Sequence, residues 1–133
     1  MIQSSTKNLI KKHDLNIGSV SFYKNFVISE MKEGIIFDYD NATRLLELCN
    51  EYYGKKIPFI YISNRINSYS ISPTGHFKSS KMFPNLKGYG VVSYNSINNG
   101  VAKLEQSFLN IPTNIFNNLE DAIRWTEEII TPD

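Results

Sequence analysis

The sequence predicts an α/β fold, a mixed and mostly parallel five-stranded sheet with about four helices in the order ββαβαβαβα. Three observations carry this expectation. Two runs, "PFIYIS" at 58–63 and "KGYGVVSYN" at 87–95, are largely apolar without polar alternation, as strands covered on both faces are. Segments with apolar residues at helical spacing separate the runs, which demands crossover connections and parallel pairing. "SVSFYKNFVIS" at 19–29 alternates instead around a short turn, and so adds an antiparallel edge.

Taken in order, residues 1–17, "MIQSSTKNLIKKHDLNI", are polar with scattered apolar positions. They read as a loosely ordered lead-in, compatible with a short helix around Lys7–Lys12, and a single domain then spans 18–131. In the hairpin, Val20 and Phe22 alternate with serines, and Phe26 and Ile28 follow Lys24–Asn25, a pair suited to a two-residue turn because Asn tolerates positive φ. Glu33–Gly34 ends the second strand. "DYDNATRLLELCNEYYGKK" is the clearest helix, with Ala42, Leu45, Leu46, Cys49 and Tyr53 on one face. Asp38 or Asp40 is suited to cap it, and Gly54 followed by two lysines to stop it. Pro58 fits the first position of the next strand.

"SPTGHFKSSKMFP" at 72–84 predicts a short helix with Ser72 as N-cap and Pro73 in its first turn. After the second buried strand, "SINNGVAKLEQSFLN" at 96–110 places Ile97, Val101, Leu104 and Phe108 on one helical face. "IPTNIFNN" predicts a short strand. The last helix, "NLEDAIRWTEEII", starts at an approximate capping box of Asn118 and Asp121 and carries Leu119, Ala122, Ile123, Thr126, Ile129 and Ile130 inward.

Composition narrows the function classes. The 133 residues are 41% apolar and 20% charged, with a net charge of +1, which lacks the basic stripe of a nucleic-acid binder. Lys11–Lys12 and the trio Lys78, Lys81 and Lys87 read as solvated surface lysines. The single cysteine, Cys49, has no partner for an internal disulfide and reads as a small buried hydrophobe. No apolar run is long enough for a transmembrane segment and no secretory leader pattern occurs, so a cytoplasmic location is expected.

Catalytic patterns are scarce. The sequence has two histidines, His13 and His76, and holds no CxxC, HExxH, dinucleotide or P-loop glycine pattern, and no G-x-S-x-G. No cofactor and no metal site are therefore expected. His76 stands within helical reach of Ser72 but has no acidic residue near it to orient it. Asp38 and Asp40 have the chemistry to hold a hard cation, although capping accounts for them more simply.

The segment that stands out is "NRINSYSISPTG", residues 64–75. It leaves a buried parallel strand and enters a helix, at the carboxyl end of the sheet where α/β folds meet ligands and partners. Asn64, Arg65, Asn67, Ser68, Tyr69, Ser70, Ser72 and Thr74 are the residues expected to form a partner-binding or regulatory loop. Charge added at Ser72 would complement the helix start, within reach of Arg65.

The element order, "GYGVVSYN" leading into a helix, and the closing "IPTNIFNNLEDAIRWTEEI" resemble the STAS domain family, in particular its SpoIIAA-like branch of small single-domain bacterial proteins. The resemblance covers about residues 18–130. In anti-sigma-factor antagonists of that family the corresponding loop carries a D-S-S/T-G motif whose first hydroxyl residue is reversibly phosphorylated. Here the nearest match is Ser72-Pro73-Thr74-Gly75. Thr74 and Gly75 meet the pattern, Pro73 stands at the phosphorylated position, and Ser72 replaces the aspartate. Ser72 and Thr74 are the hydroxyl groups left there for modification. The resemblance implies a non-enzymatic protein-interaction module, with a small apolar-ligand or lipid-binding domain of the same fold as the alternative. An uncovered hairpin edge would also suit a homodimer.

Overall fold

A computed structural model describes residues 9–67, 69–71, 82–94 and 111–130. The five strands expected from the sequence are present: β2 (Gly18–Tyr23), β3 (Phe26–Met31), β5 (Phe59–Arg65), β7 (Leu86–Ser93) and β8 (Thr113–Phe116). A sixth, β1 (Leu9–Leu15), joins them in the order β1-β2-β3-β5-β7-β8. The first three strands are mutually antiparallel, and β3, β5, β7 and β8 run parallel.

β1 corrects the expectation of a loosely ordered lead-in with a short helix, and makes the sheet six-stranded rather than five-stranded. It is an edge strand whose outer flank no described strand covers, so little of it is buried. His13 and Leu15 are half-buried, and His13 lies edge-on to Phe22 and Tyr52. The hairpin strand β2 is thereby moved inward from the edge, and Val20 and Phe22 have no exposed surface.

The hairpin turn is at Lys24–Asn25 as expected, but no described non-glycine residue has a positive φ. Asn25 acts through polar groups instead. Its Nδ2 donates to the Pro58 carbonyl at 2.8 Å and its carbonyl accepts from Ile60 N at 3.0 Å, tying the turn to the entry of β5.

Two helices are described, α1 (Thr43–Tyr53) and α2 (Leu119–Ile129). The expected helix at 96–110 and all of the one at 73–83 except its last two residues lie outside the described residues, and of those two Met82 is helical and Phe83 is buried. No described helix is long and apolar enough to cross a membrane. α1 starts later than expected, with Ala42 as N-cap and no side-chain cap. Asp38 is used one turn earlier, where its Oδ1 accepts from Asn41 N at 2.8 Å. This local turn competes with helix start and delays it. Gly54, at φ 57°, ends α1 as expected. In α2 the Asn118 side chain accepts from Asp121 N at 2.8 Å, the expected cap.

The helices cover opposite faces of the sheet. On one face Leu45, Leu48, Cys49 and Tyr53 of α1 pack on Val20, Phe22, Val27, Phe59 and Val91. On the other, Ala122 and Ile123 of α2 pack on Ile28, Ile60, Ile62 and Val92. Trp125 lies against the backbone at Gly88 and Gly90, where an added Cβ would stand 3.1 and 3.3 Å from its ring. That close approach, together with Ile60 Cδ1 at 2.8 Å from an added Cβ at Gly88, accounts for the glycines of "GYG". A separate two-stranded ladder, β4 (Ile36–Phe37) with β6 (Ser70–Ile71), is parallel and was not expected from the sequence.

Candidate functional site

The carboxyl ends of β3, β5 and β7 carry a polar cluster on the face that α1 covers lower down. Alternation along β5 sends Phe59, Tyr61, Ser63 and Arg65 to this face. The apolar part of the strand thus hands over to a polar end without any residue leaving the interior. Tyr61 OH donates to Ser29 Oγ at 2.7 Å. Its ring stacks on Tyr89, the residue beside it in β7. Arg65 is 2% exposed, donating from Nε to Ser63 Oγ at 3.0 Å and from Nη2 to Tyr89 OH at 2.8 Å. Ser63 Oγ also shares a hydrogen bond with Tyr69 OH at 2.9 Å, and the Arg65 guanidinium lies 6.0 Å from the Tyr69 ring centre.

The opposite face of the same strand ends carries a second chain of hydrogen bonds. Asn64 Nδ2 donates to Glu30 Oε2 and Tyr94 OH donates to Asn64 Oδ1, each at 2.8 Å. The Tyr94 hydroxyl is pushed up from its ordinary value by burial and then by the Glu30 carboxylate, as is that of Tyr23.

Asn64 and Arg65 therefore belong to β5 and are buried, two residues beyond the expected end of the strand. The contact loop begins at Ile66, which is exposed. Asn67 Nδ2 donates to the Met31 carbonyl at 3.0 Å, fastening the turn to the end of β3. Tyr69 is half-buried and meets Phe37 edge-on. Ser70 is exposed, its N–H donating to the Ile35 carbonyl at 3.0 Å as the β4–β6 ladder begins. Ser68, Ser72 and Thr74 lie outside the described residues, as do Pro73 and His76. The structure thus brings Arg65 and Tyr69 together, and links Asn64 and Asn67 separately to β3.

Ser29, Glu30, Tyr61, Ser63, Tyr89 and Tyr94 were missed as members of the site. The available signal was the every-second-residue series Tyr61, Ser63, Arg65, which shares one strand face. Beside the turn, an open cleft of about 420 Å³ is lined by Lys12, Asp14, Glu30 and Lys32 together with Ile66 and Asn67. Among the described residues, no group of three or more His, Cys, Asp or Glu is placed to hold a metal ion.

Burial acts on the acids inside this face. It pushes the hydroxyls of Tyr53 and Tyr61 well above their ordinary value of 10.0 and the Cys49 thiol up to about 12. In the unfolded chain they ionise at ordinary values, 9.0 for the thiol and 10.0 for the phenols. Below those values both states hold the protons and stability is fully present. As pH rises beyond them, the unfolded chain binds fewer protons than the folded one and stability falls. We expect Tm to decline from about pH 9 upward. Tyr53 and Tyr61 should ionise only with unfolding, as read by tyrosinate absorbance. Early, non-cooperative ionisation of all eight tyrosines would contradict the burial.

The fold has known counterparts. A crystal structure of an uncharacterized protein of the DUF3478 family with a SpoIIAA-like fold, from Shewanella loihica PV-4, matches with a TM-score of 0.53 at 14% identity. The match covers 87% of this chain and 90% of that one. No family model matches the sequence, and no curated protein does either. The protein is thus an α/β protein with a SpoIIAA-like fold, as the sequence resemblance led us to expect at the level of the fold.

Proposed function

We propose that this chain is a non-enzymatic interaction module that presents the turn from Ile66 and the segment after it to a partner protein. The observation that carries the reading is the support beneath that turn. Hydrogen-bonded side chains on both faces of β5 hold its end, and Asn67 fastens the turn to β3. Above this support Ile66 is 55% exposed and Tyr94 51% exposed. A rigid base beneath exposed apolar and aromatic groups suits recognition, since little ordering entropy remains to be lost on binding.

The apolar-ligand alternative draws less support. The rings of this face stack on one another, as Tyr53 does on Phe59 and Tyr61 on Tyr89, and the open cleft beside the turn mixes the charged Lys12, Asp14, Glu30 and Lys32 with Leu15, Met31 and Ile66.

Partner capture from lysate with wild-type chain, Ile66→Asp and Lys87→Glu tests the proposal. Lys87 is exposed at the opposite end of β7 and serves as the control. A partner weakened roughly tenfold by Ile66→Asp and kept by Lys87→Glu is the expected result. Equal capture by all three chains would remove the reading.

A further inference from the structure

β1 ends the sheet with β2 as its neighbour, so the backbone groups on its outer side face away from every other described strand. We propose that this edge pairs with β1 of a second copy of the chain, antiparallel, about a two-fold axis through His13, joining two sheets into one.

Charge fixes the register. In an antiparallel pair, directly opposed residues share a face. A two-fold axis normal to the sheet must therefore pass through a residue that faces its own copy. An axis through Lys11 or Lys12 sets lysine against lysine, and one through Asp14 sets aspartate against aspartate, each destabilising. An axis through His13 sets Lys12 against Asp14 of the second copy, and Asp14 against its Lys12. It also lays the Lys11 stem along Leu15.

Two features of the strand agree with this axis. Its pairing irregularity falls between Leu9 and Lys11, so the stretch from Lys11 to Leu15 is regular, and that stretch is centred on His13. The His13 ring is already committed to its own chain, with Nε2 2.9 Å from Tyr52 OH and Phe22 against it, so two facing rings need not meet. At the start of the strand, Leu9 at 38% and Ile10 at 56% exposure would lie beside the second copy's Asn16–Ile17 turn. Edge lysines ordinarily deter strand addition. Here the Lys12 and Asp14 pair leaves one register open while closing its neighbours.

The test is sedimentation velocity of the full chain as wild type, Lys12→Asp, Asp14→Lys and the double exchange, with circular dichroism to confirm folding. Lys12 and Asp14 are exposed, so the substitutions should leave the fold intact. We expect a wild-type dimer, and a rise in dimer Kd of roughly tenfold or more in each single variant, because both cross-strand pairs become like-charged. The double exchange should restore the dimer. Mixing the two single variants should restore it as well, since one chain then brings two acids and the other two lysines. A monomeric wild type, or a dimer indifferent to both single variants, would overturn the proposal.

Discussion

Replacing Arg65 by alanine should lower the unfolding free energy by about 3–5 kcal/mol, among the largest losses expected for a single side chain outside the apolar core. Arg65 is 2% exposed, so its hydrogen bonds are made away from water. Truncation removes the donor to Ser63 Oγ and the donor to Tyr89 OH, which stay in the interior with fewer partners. Bonds from an ionised donor are worth about 1.5–3 kcal/mol each, and the vacated volume adds a packing loss. Arg65→Lys keeps the charge but replaces a planar fork by a point donor, so an intermediate loss of about 2 kcal/mol is expected. For a domain of this size the alanine change corresponds to roughly 15 °C in Tm. Urea unfolding of the three proteins checks the ranking. A change under about 1 kcal/mol for alanine would mean that this cluster does not hold the end of β5.

The same arginine explains why part of the site could not be read from sequence. A polar "SNR" after an apolar run reads as the strand leaving the interior, because polar residues there usually meet water. What holds Asn64 and Arg65 inside are partners far along the chain, namely Glu30 in β3 and Tyr89 in β7, and no periodicity within 64–75 reports those pairings. Face assignment was legible, since Tyr61, Ser63 and Arg65 stand two apart, but burial was not. β1 was hidden for the opposite reason. An edge strand with a half-covered face needs few apolar residues, and "LIKKHDL" has them mainly at its ends. The β4–β6 ladder has two-residue strands, too short for any period to show. By contrast the hairpin, β5, β7 and α2 announced themselves through patterns that their own residues satisfy, as when Asn118 caps the helix that it begins.

Gly18→Ala should cost about 3 kcal/mol and lower Tm by roughly 10 °C, because the added methyl meets backbone rather than a side chain that can turn away. Gly18 opens β2 at φ 152° and is opposed by Met31 of β3. A Cβ there would stand 2.4 Å from the Glu30 carbonyl oxygen and 2.6 Å from Met31 Cα. Relief requires β2 and β3 to separate where the carboxyl end of β3 supports the candidate site. Met31 supplies the carbonyl that fastens Asn67, and Glu30 the carboxylate that holds Asn64. The substitution should therefore loosen the turn at Ile66 as well as lower global stability, seen as faster amide exchange at 66–67. Gly34→Ala separates sterics from backbone preference. Its φ is 77° with nothing within 4 Å of the added Cβ, so about 1 kcal/mol is expected from conformation alone. Equal losses at the two glycines would show that the close approach of β2 to β3 is not what makes Gly18 necessary.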